Sequence, residues 1–494
     1  MQQGGIPMES IVTQIVVKMV EEILKNFKEN GFSDICTDSA RIMDIVNGNV
    51  LGLLSGVIEA LDDEFKRSSL RKDLGLTVQA RNVKRSVMLP MGELQFSRTM
   101  YFSKENNAYE YPIDSIIGLE ARERISSETS AMLIEACAHN SYEKSSEKVT
   151  KGAVSRQTVK NKLLEVGELA TESSHERRKV DHLDLYVDEA HVSVQKGSSK
   201  IVPLVVASEG KVTNGTRKSL VNRTAFQGYM MKNKDFWEGV SAYLREEYDV
   251  DNCKITIHAD GGTWIKKAKD VFFNANFVMD EFHIEQHLKQ LCANEIGRKY
   301  ALQIRSSIES CNKDGLMRLQ RRMLSEVVYY TATEEAMRRE KKRINEEFNY
   351  FFNNWEAICS RQSVDVTGSC TEAMVSHILA KRLSRNPMWW SEEGLSKQSM
   401  LLVYLFNGNH VKASDVGKGR FKRTEPDRKG VRRRPKPAPA KNVAKYMKYA
   451  KAQMSECLDK KLDWSIFSKE DYKNGKVTGL STIMKAYGTC KFSM

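Results

Sequence analysis

The chain has 494 residues, more than one hydrophobic core normally supports, so two or more domains are expected. With 41% hydrophobic and 29% charged residues it has the composition of a soluble globular protein, which excludes a disordered or fibrous polymer. Its formal charge of +13 fixes no fold but favours an acidic partner, most simply nucleic acid.

Nine cysteines are dispersed without a C-x-x-C pair, which argues against a zinc ribbon and for reduced thiols in a cytoplasmic protein. No segment reads as the roughly 20 apolar residues that span a bilayer, and the first residues lack a signal-peptide pattern, so no membrane partner is expected.

Residues 1–70 read as an N-terminal helical region. Ile11, Ile15, Met19, Ile23 and Phe27 recur at four-residue spacing over 8–28, and a second helix is expected from Val50 to Lys66. These helices serve either core packing or dimerisation. Residues 71–115 read as a small β-hairpin region, turning near Pro90 and Gly92, with Arg81, Lys84, Arg85 and Arg98 on its flank. Residues 116–178 return to helix. Ser141–Val149, a Gly152-containing turn and a helix capped by Ser155 fit a helix-turn-helix, and equally an ordinary helical hairpin. In the DNA-binding reading, Arg156, Gln157 and Lys160 face base edges and phosphates.

Residues 179–287 have an α/β rhythm. A strand over 183–195 shifts its apolar phase after Asp188, which predicts a bend or bulge at Asp188-Glu189-Ala190. Ile201–Ala207 is the next strand, expected near an edge because of Pro203. A third strand is expected from Lys218 to Gly228, then a helix Asp235–Tyr248, a strand 254–259, a helix 263–273 and a strand Phe277–Met279. Three antiparallel strands, a helix and further strands is the order of a ribonuclease H-like fold. Residues 288–357 are helical, charged and without strand signal, so they read as an insertion, and 358–412 as the last part of the same domain. Residues 413–441 form a basic linker or arm that contains Arg432, Arg433 and Arg434, and 442–494 a C-terminal helical region. The fold class expected is thus α+β and multidomain: a ribonuclease H-like catalytic domain interrupted by an all-helical insertion, behind an N-terminal helical DNA-binding region.

Asp188 and Asp260 close two β-like runs, and Glu372 lies downstream on a helix. Three carboxylates brought together can hold two divalent metals and cut or join phosphodiesters. Taken singly, each has a plainer use: Asp188 as a strand-end acid, Asp260 as a turn residue before two glycines, and Glu372 as a capping-box partner of Ser369.

The stretches Val187–Gln195, Ala259–Ile265 and Asp280-Glu281-Phe282-His283 resemble motifs of the ISLre-type insertion-sequence transposases. So does Gly368–His377, continuing through Arg382-Leu383-Ser384, Pro387-Met388 and Trp390-Ser391. These transposases belong to the Mutator-like group of DDE enzymes. The resemblance implies that Asp188, Asp260 and Glu372 are the DDE metal ligands for Mg2+ or Mn2+, two ions in all. It gives His283 of the D-x-x-H signature a supporting catalytic role, positioning DNA or an acid. It implies metal-dependent strand cleavage followed by strand transfer from a freed 3′-hydroxyl, with element ends and target DNA as partners, a homo-oligomer (a dimer), and a cytoplasmic, nucleoid-associated location. Trp389 and Trp390 read as a packed pair or as a platform for an extruded base. Two other readings stand beside it: a helix-turn-helix DNA-binding protein without catalysis, and a nuclease of the same fold that joins no strands.

Overall fold

The structure is a computed structural model that describes residues 8–417 apart from 216, 363–369 and 386–387. The basic arm beyond Gly417, with Arg432, Arg433 and Arg434, and the expected C-terminal helical region lie outside the described residues. The chain divides into two compact units, with the boundary after Ser130.

The first unit begins with helices Met8–Asn30 and Ile35–Arg67. The second of these starts well before the expected Val50. Asp34 caps it, its carboxylate accepting from the backbone N–H groups of Cys36 and Thr37 at 3.0 Å. Strands β1 (Leu76–Leu89) and β2 (Gly92–Ser103) pair antiparallel across the expected tight turn, and β3 (Ala108–Glu110) extends the sheet. Leu51, Leu54, Ile58 and Leu61 of the long helix pack with Leu94 and Phe96 of β2. Asp62 accepts a buried hydrogen bond from Thr99 Oγ1 at 2.6 Å. Contrary to the sequence expectation, Ile35–Arg67 is long and apolar enough to cross a membrane by length and composition alone, with a mean hydropathy of 1.3 over its most apolar window.

Helix Ser127–His139 runs across that boundary, and the second unit continues with helices Tyr142–Thr150 and Arg156–Leu164. Ser141 and Ser155 cap the last two, and Lys151 (φ +52) and Gly152 (φ +81) make the left-handed turn between them. Val159 and Leu163 are buried, leaving Arg156 and Gln157 exposed.

A five-stranded sheet follows. It contains β4 (His182–Val192), β5 (Lys200–Ser208), β8 (Thr224–Gln227), β9 (Lys254–Ala259) and β10 (Asn276–Met279), in the order β10-β9-β4-β5-β8. β4, β9 and β10 are parallel, while β5 is antiparallel to both its neighbours. β6 (Lys211–Asn214) and β7 (Arg217–Leu220) form a separate hairpin. Helix Asn233–Glu247 covers one face, packing Phe236, Trp237, Val240 and Leu244 onto Leu183, Leu185, Val187, Ile255 and Ile257.

Four local expectations are corrected. No bulge interrupts β4, which pairs with β5 in unbroken register from Asp184 to Val192. The phase change instead records a change of covered face: up to Val187 both faces are buried, and beyond Asp188 only the face of Ala190 and Val192 is. β5 is an interior strand. Pro203 is tolerated because β8 pairs only with Leu204–Ala207, so the proline lies past its end. The expected third strand breaks at Asn222 (φ +45) into β7 and β8. The expected helix 263–273 is a short α-helix, Thr263–Lys266, followed by a 3-10 turn to Asp270.

Directly after β10 come helices Glu281–Leu291, Glu295–Glu309, Lys313–Glu326, Glu334–Asn353 and Trp355–Ser360. They bury a core of their own, including Leu288, Ile304, Met323, Phe348 and Phe351. The chain then returns through helix Thr371–Val375, a π-helical turn Ser376–Ala380 and helix Glu392–Phe406.

Candidate metal centre

The parallel pairing of β4 with β9 sets the first two acids side by side. Tyr186 stands opposite His258 in the register, so Asp188, two residues on, comes level with Asp260 just past the end of β9. Asp188 is buried on the central strand, beyond the last residue of β4 that pairs with β9, and accepts from the Glu189 N–H at 2.7 Å. Asp260 is held from two sides. Its Oδ1 accepts from the Gly262 N–H at 2.9 Å, and its carbonyl accepts from the Tyr350 hydroxyl at 3.2 Å. Gly261 adopts φ +87, which lets the chain turn tightly beneath helix Glu334–Asn353 and the Asn354 that follows it. The helical insertion therefore braces the turn that carries Asp260.

His283 comes from the first turn of helix Glu281–Leu291, whose N-cap is Asp280. Asp280 also continues the ladder past β9, its N–H donating to the Ala259 carbonyl at 3.0 Å. One donor atom each from Asp188, Asp260 and His283 lies within 4.8 Å of the others. The Nε2 of His283 is buried and has no hydrogen-bond partner. A buried polar atom without a partner is costly, and a cation between the three side chains would satisfy it.

Glu372 stands in the first turn of helix Thr371–Val375, which packs against β4. It is outside the tight trio yet near enough to act on Asp188. Burial pushes the Asp188 carboxyl up to about 7, and the charges of Asp260, Glu372 and Glu189 add to that, against the opposing Glu189 N–H. The sequence reading gave His283 a supporting part and Glu372 a ligand's part. The geometry makes His283 a full member of the converging set and Glu372 its neighbour. The D-x-x-H spacing was the available signal, since a strand-end cap at Asp280 fixes where the first helical turn aims His283.

The donor set fits a divalent cation. Carboxylate oxygens suit Mg2+ and Mn2+, and an imidazole nitrogen shifts the preference toward Mn2+ and other transition metals. Without a cation the Asp188 carboxyl resists ionisation, chiefly because it is buried.

A second cluster on the same strands was not read from the sequence. Asp184 Oδ1 lies 2.9 Å from both His182 Nε2 and His258 Nε2. Burial alone would raise the Asp184 carboxyl, but the two imidazoles outweigh it and hold the group well below the usual carboxylate range. Its signal was period-two spacing, because His258 precedes Asp260 by two residues and Tyr186 precedes Asp188 by two. Trp264 is a further tie, its Nε1 donating to Glu189 Oε2 at 2.6 Å.

Of the helix-turn-helix candidates, Arg156 and Gln157 are exposed and Lys160 is half-buried. Gln157 Nε2 donates to Asn161 Oδ1 at 2.9 Å. Trp389 and Trp390 do not form a packed pair. Trp390 is buried, donating to the Leu383 carbonyl beneath the Arg382 guanidinium, whereas Trp389 is 73% exposed.

Comparison with known proteins adds kinship. The model of an uncharacterised protein family, UPF0236, matches residues 29–420. A UPF0236 protein of Caldanaerobacter subterraneus subsp. tengcongensis is 31% identical over 441 residues, covering 87% of this chain and 91% of the relative, and its name joins eleven loci of that genome. Another from that organism, TTE0402, is 31% identical over 416 residues, covering 83% and 82%. The UPF0236 protein in the vanSb 3′ region of Streptococcus gallolyticus is 24% identical over 414 residues, covering 80% and 86%.

Proposed function

The chain belongs to the UPF0236 family, and we propose that it is a DNA transposase of the DDE type, acting on an insertion sequence of the ISLre kind. The observation that carries this reading is the convergence of Asp188, Asp260 and His283, with Glu372 beside them, where β9 ends beside β4. Counting only the five strands of this sheet in chain order, their order is 3-2-1-4-5 with the second strand antiparallel. That order supports a ribonuclease H-like domain, and the helices between β10 and Glu372 support an insertion ahead of the last acid. A relative whose name joins eleven loci of one genome is what a self-copying element leaves behind.

Asp188, Asp260 and His283 would hold one divalent cation, and Glu372, beside Asp188, would help hold a second; Mg2+ or Mn2+ is the expected species. A bound cation supplies Lewis acidity at the scissile phosphate and neutralises the clustered carboxylates. The side chains keep the phosphodiester out until that charge is balanced, because a bare acidic hollow repels phosphate. Tyr350 and Asn354 hold the Asp260 turn rigid, so the ligand atoms need little reorganisation. Hydrolysis at the element end frees a 3′-hydroxyl, which then attacks target DNA in line. The helices Tyr142–Thr150 and Arg156–Leu164 would act as a helix-turn-helix for end recognition, and the basic arm would add phosphate contacts. A dimer would bring two ends together.

The test is a strand-cleavage and joining assay with purified protein, Mg2+ or Mn2+, and duplexes carrying the terminal repeats that flank its gene. Cleavage at the repeat end with joining to a second DNA supports the proposal. Cleavage without joining would make the protein a nuclease, and no cleavage with retained binding would leave a DNA-binding protein.

A further inference from the structure

Each of the three acids is preceded, two residues earlier, by a side chain of one interlocked layer. Tyr186 precedes Asp188 on β4, His258 precedes Asp260 on β9, and Cys370 precedes Glu372 as the N-cap of its helix. On a strand, residues two apart share a face, so Tyr186 and His258 lie on the acids' side of the sheet.

The layer is joined across all three elements. Tyr186 and His258 stand opposite each other in the parallel register, with their rings stacked at 4.8 Å and 17°. Both are nearly inaccessible, at 2% and 4% exposure. The helix that follows Cys370 packs against β4, and the Cys370 thiol and the Asp184 carboxylate both act electrostatically on the Tyr186 hydroxyl. His258 Nε2 meets that same carboxylate at 2.9 Å, as does His182 Nε2. Lys211 lies over the outer face of the tyrosine ring, 5.1 Å from its centre. One tyrosine thus stacks on β9 through its ring and faces the Cys370 thiol at the start of the Glu372 helix, while its own backbone belongs to the strand of Asp188.

We propose that Tyr186, with His258 and Cys370, is a positioning layer that sets the separation of the Asp188, Asp260 and Glu372 carboxylates and so the affinity of the site for divalent cations. The helix of Glu372 is short, and β4 and β9 pair in the ladder only up to Tyr186 and His258, below the level of the two aspartates. The β4–β9 ladder therefore does not itself tie the Glu372 helix to the two aspartates, and Tyr186, stacked on His258 and facing Cys370, lies between all three elements. The inference rests on the metal-site reading of those acids. It goes beyond it by assigning residues that touch neither cation nor DNA.

The test uses full-length protein and Mn2+ titration followed by electron paramagnetic resonance, beside melting curves without metal. Tyr186→Phe keeps the stacked ring and removes only the hydroxyl. Cys370→Ala removes its partner, and Cys370→Ser keeps an acceptor there. The expected result is a Mn2+ dissociation constant raised roughly tenfold by Tyr186→Phe and by Cys370→Ala, with Cys370→Ser within about twofold of the parent. Metal-free melting temperatures should stay near the parent value in all three. Unchanged Mn2+ affinity in Tyr186→Phe and Cys370→Ala, with a parent that binds Mn2+, overturns the positioning layer alone. A parent that binds no Mn2+ overturns the metal-site reading and this proposal together.

Discussion

Asn354 fills the space that a side chain at Gly261 would need: a Cβ built there would lie 2.3 Å from the Asn354 amide oxygen. Asn354 is itself buried and pinned, its Nδ2 donating to the Tyr350 carbonyl at 3.0 Å. The end of the helical insertion and the turn bearing Asp260 are therefore fitted to each other at van der Waals distance.

Gly261→Ala should expose that fit. It adds both a clash and a left-handed conformation that alanine adopts poorly. Together these should lower stability by about 2–4 kcal/mol and weaken divalent-cation binding. Denaturant melts and Mn2+ titration check it. The companion Tyr350→Phe loses only the hydroxyl that meets the Asp260 carbonyl, so it should cost about 1 kcal/mol or less.

Replacing Asp188 or Asp260 with Asn, Glu372 with Gln, or His283 with Ala should each reduce strand cleavage by at least about a hundredfold, since each removes a ligand or charge worth several kcal/mol in the transition state. DNA affinity should be spared, because phosphate contacts lie elsewhere. A cleavage assay run beside a gel shift reads both. A His283→Ala protein that cuts normally would remove the imidazole from the site.

The Asp188 carboxyl, raised to about 7 chiefly by burial, makes the metal-free protein pH-sensitive in a definite direction. The folded state binds a proton that the unfolded chain releases at the ordinary aspartate value of 3.8. Stability without metal should therefore fall as pH rises from about 4 to about 7, by at most about 1.4 kcal/mol per unit for one proton. Cations compete with that proton, so Mn2+ affinity should climb over the same window and level off above it. Melting curves and Mn2+ titrations from pH 5 to 8 test both arms. Asp188→Asn should flatten the metal-free slope.

Arg156 and Gln157, exposed at the start of helix Arg156–Leu164, should supply end recognition. Alanine at either should erase preference for element ends by roughly 1–3 kcal/mol per lost base contact. Neutralising Arg432, Arg433 and Arg434 should weaken binding to all DNA alike and flatten its salt dependence. Titrations on end and random duplexes at several salt concentrations separate the two effects.

The sequence by itself determined the elements whose cause is local. Alternation at Leu183, Leu185 and Val187 and at Ile255, Ile257 and Ala259 marked the two central strands, because successive side chains of a strand point to opposite faces of the pleat and these residues share the face that packs on helix Asn233–Glu247. Asp260-Gly261-Gly262 marked a turn because glycine alone takes φ +87 without strain. The unbroken helical pattern after β10 marked the insertion. Only the tertiary structure decided what depends on distant partners. Pro203 in an interior strand, the unbroken register at Asp188 and the helix beginning at Ile35 all turn on how long a neighbour extends or what covers a face. The convergence of His283 with Asp188 and Asp260, and the layer of Tyr186, His258 and Cys370 beneath the acids, arise where separate segments meet. Periodicity encodes which face is buried, but strand pairing and packing choose which residues on that face become neighbours.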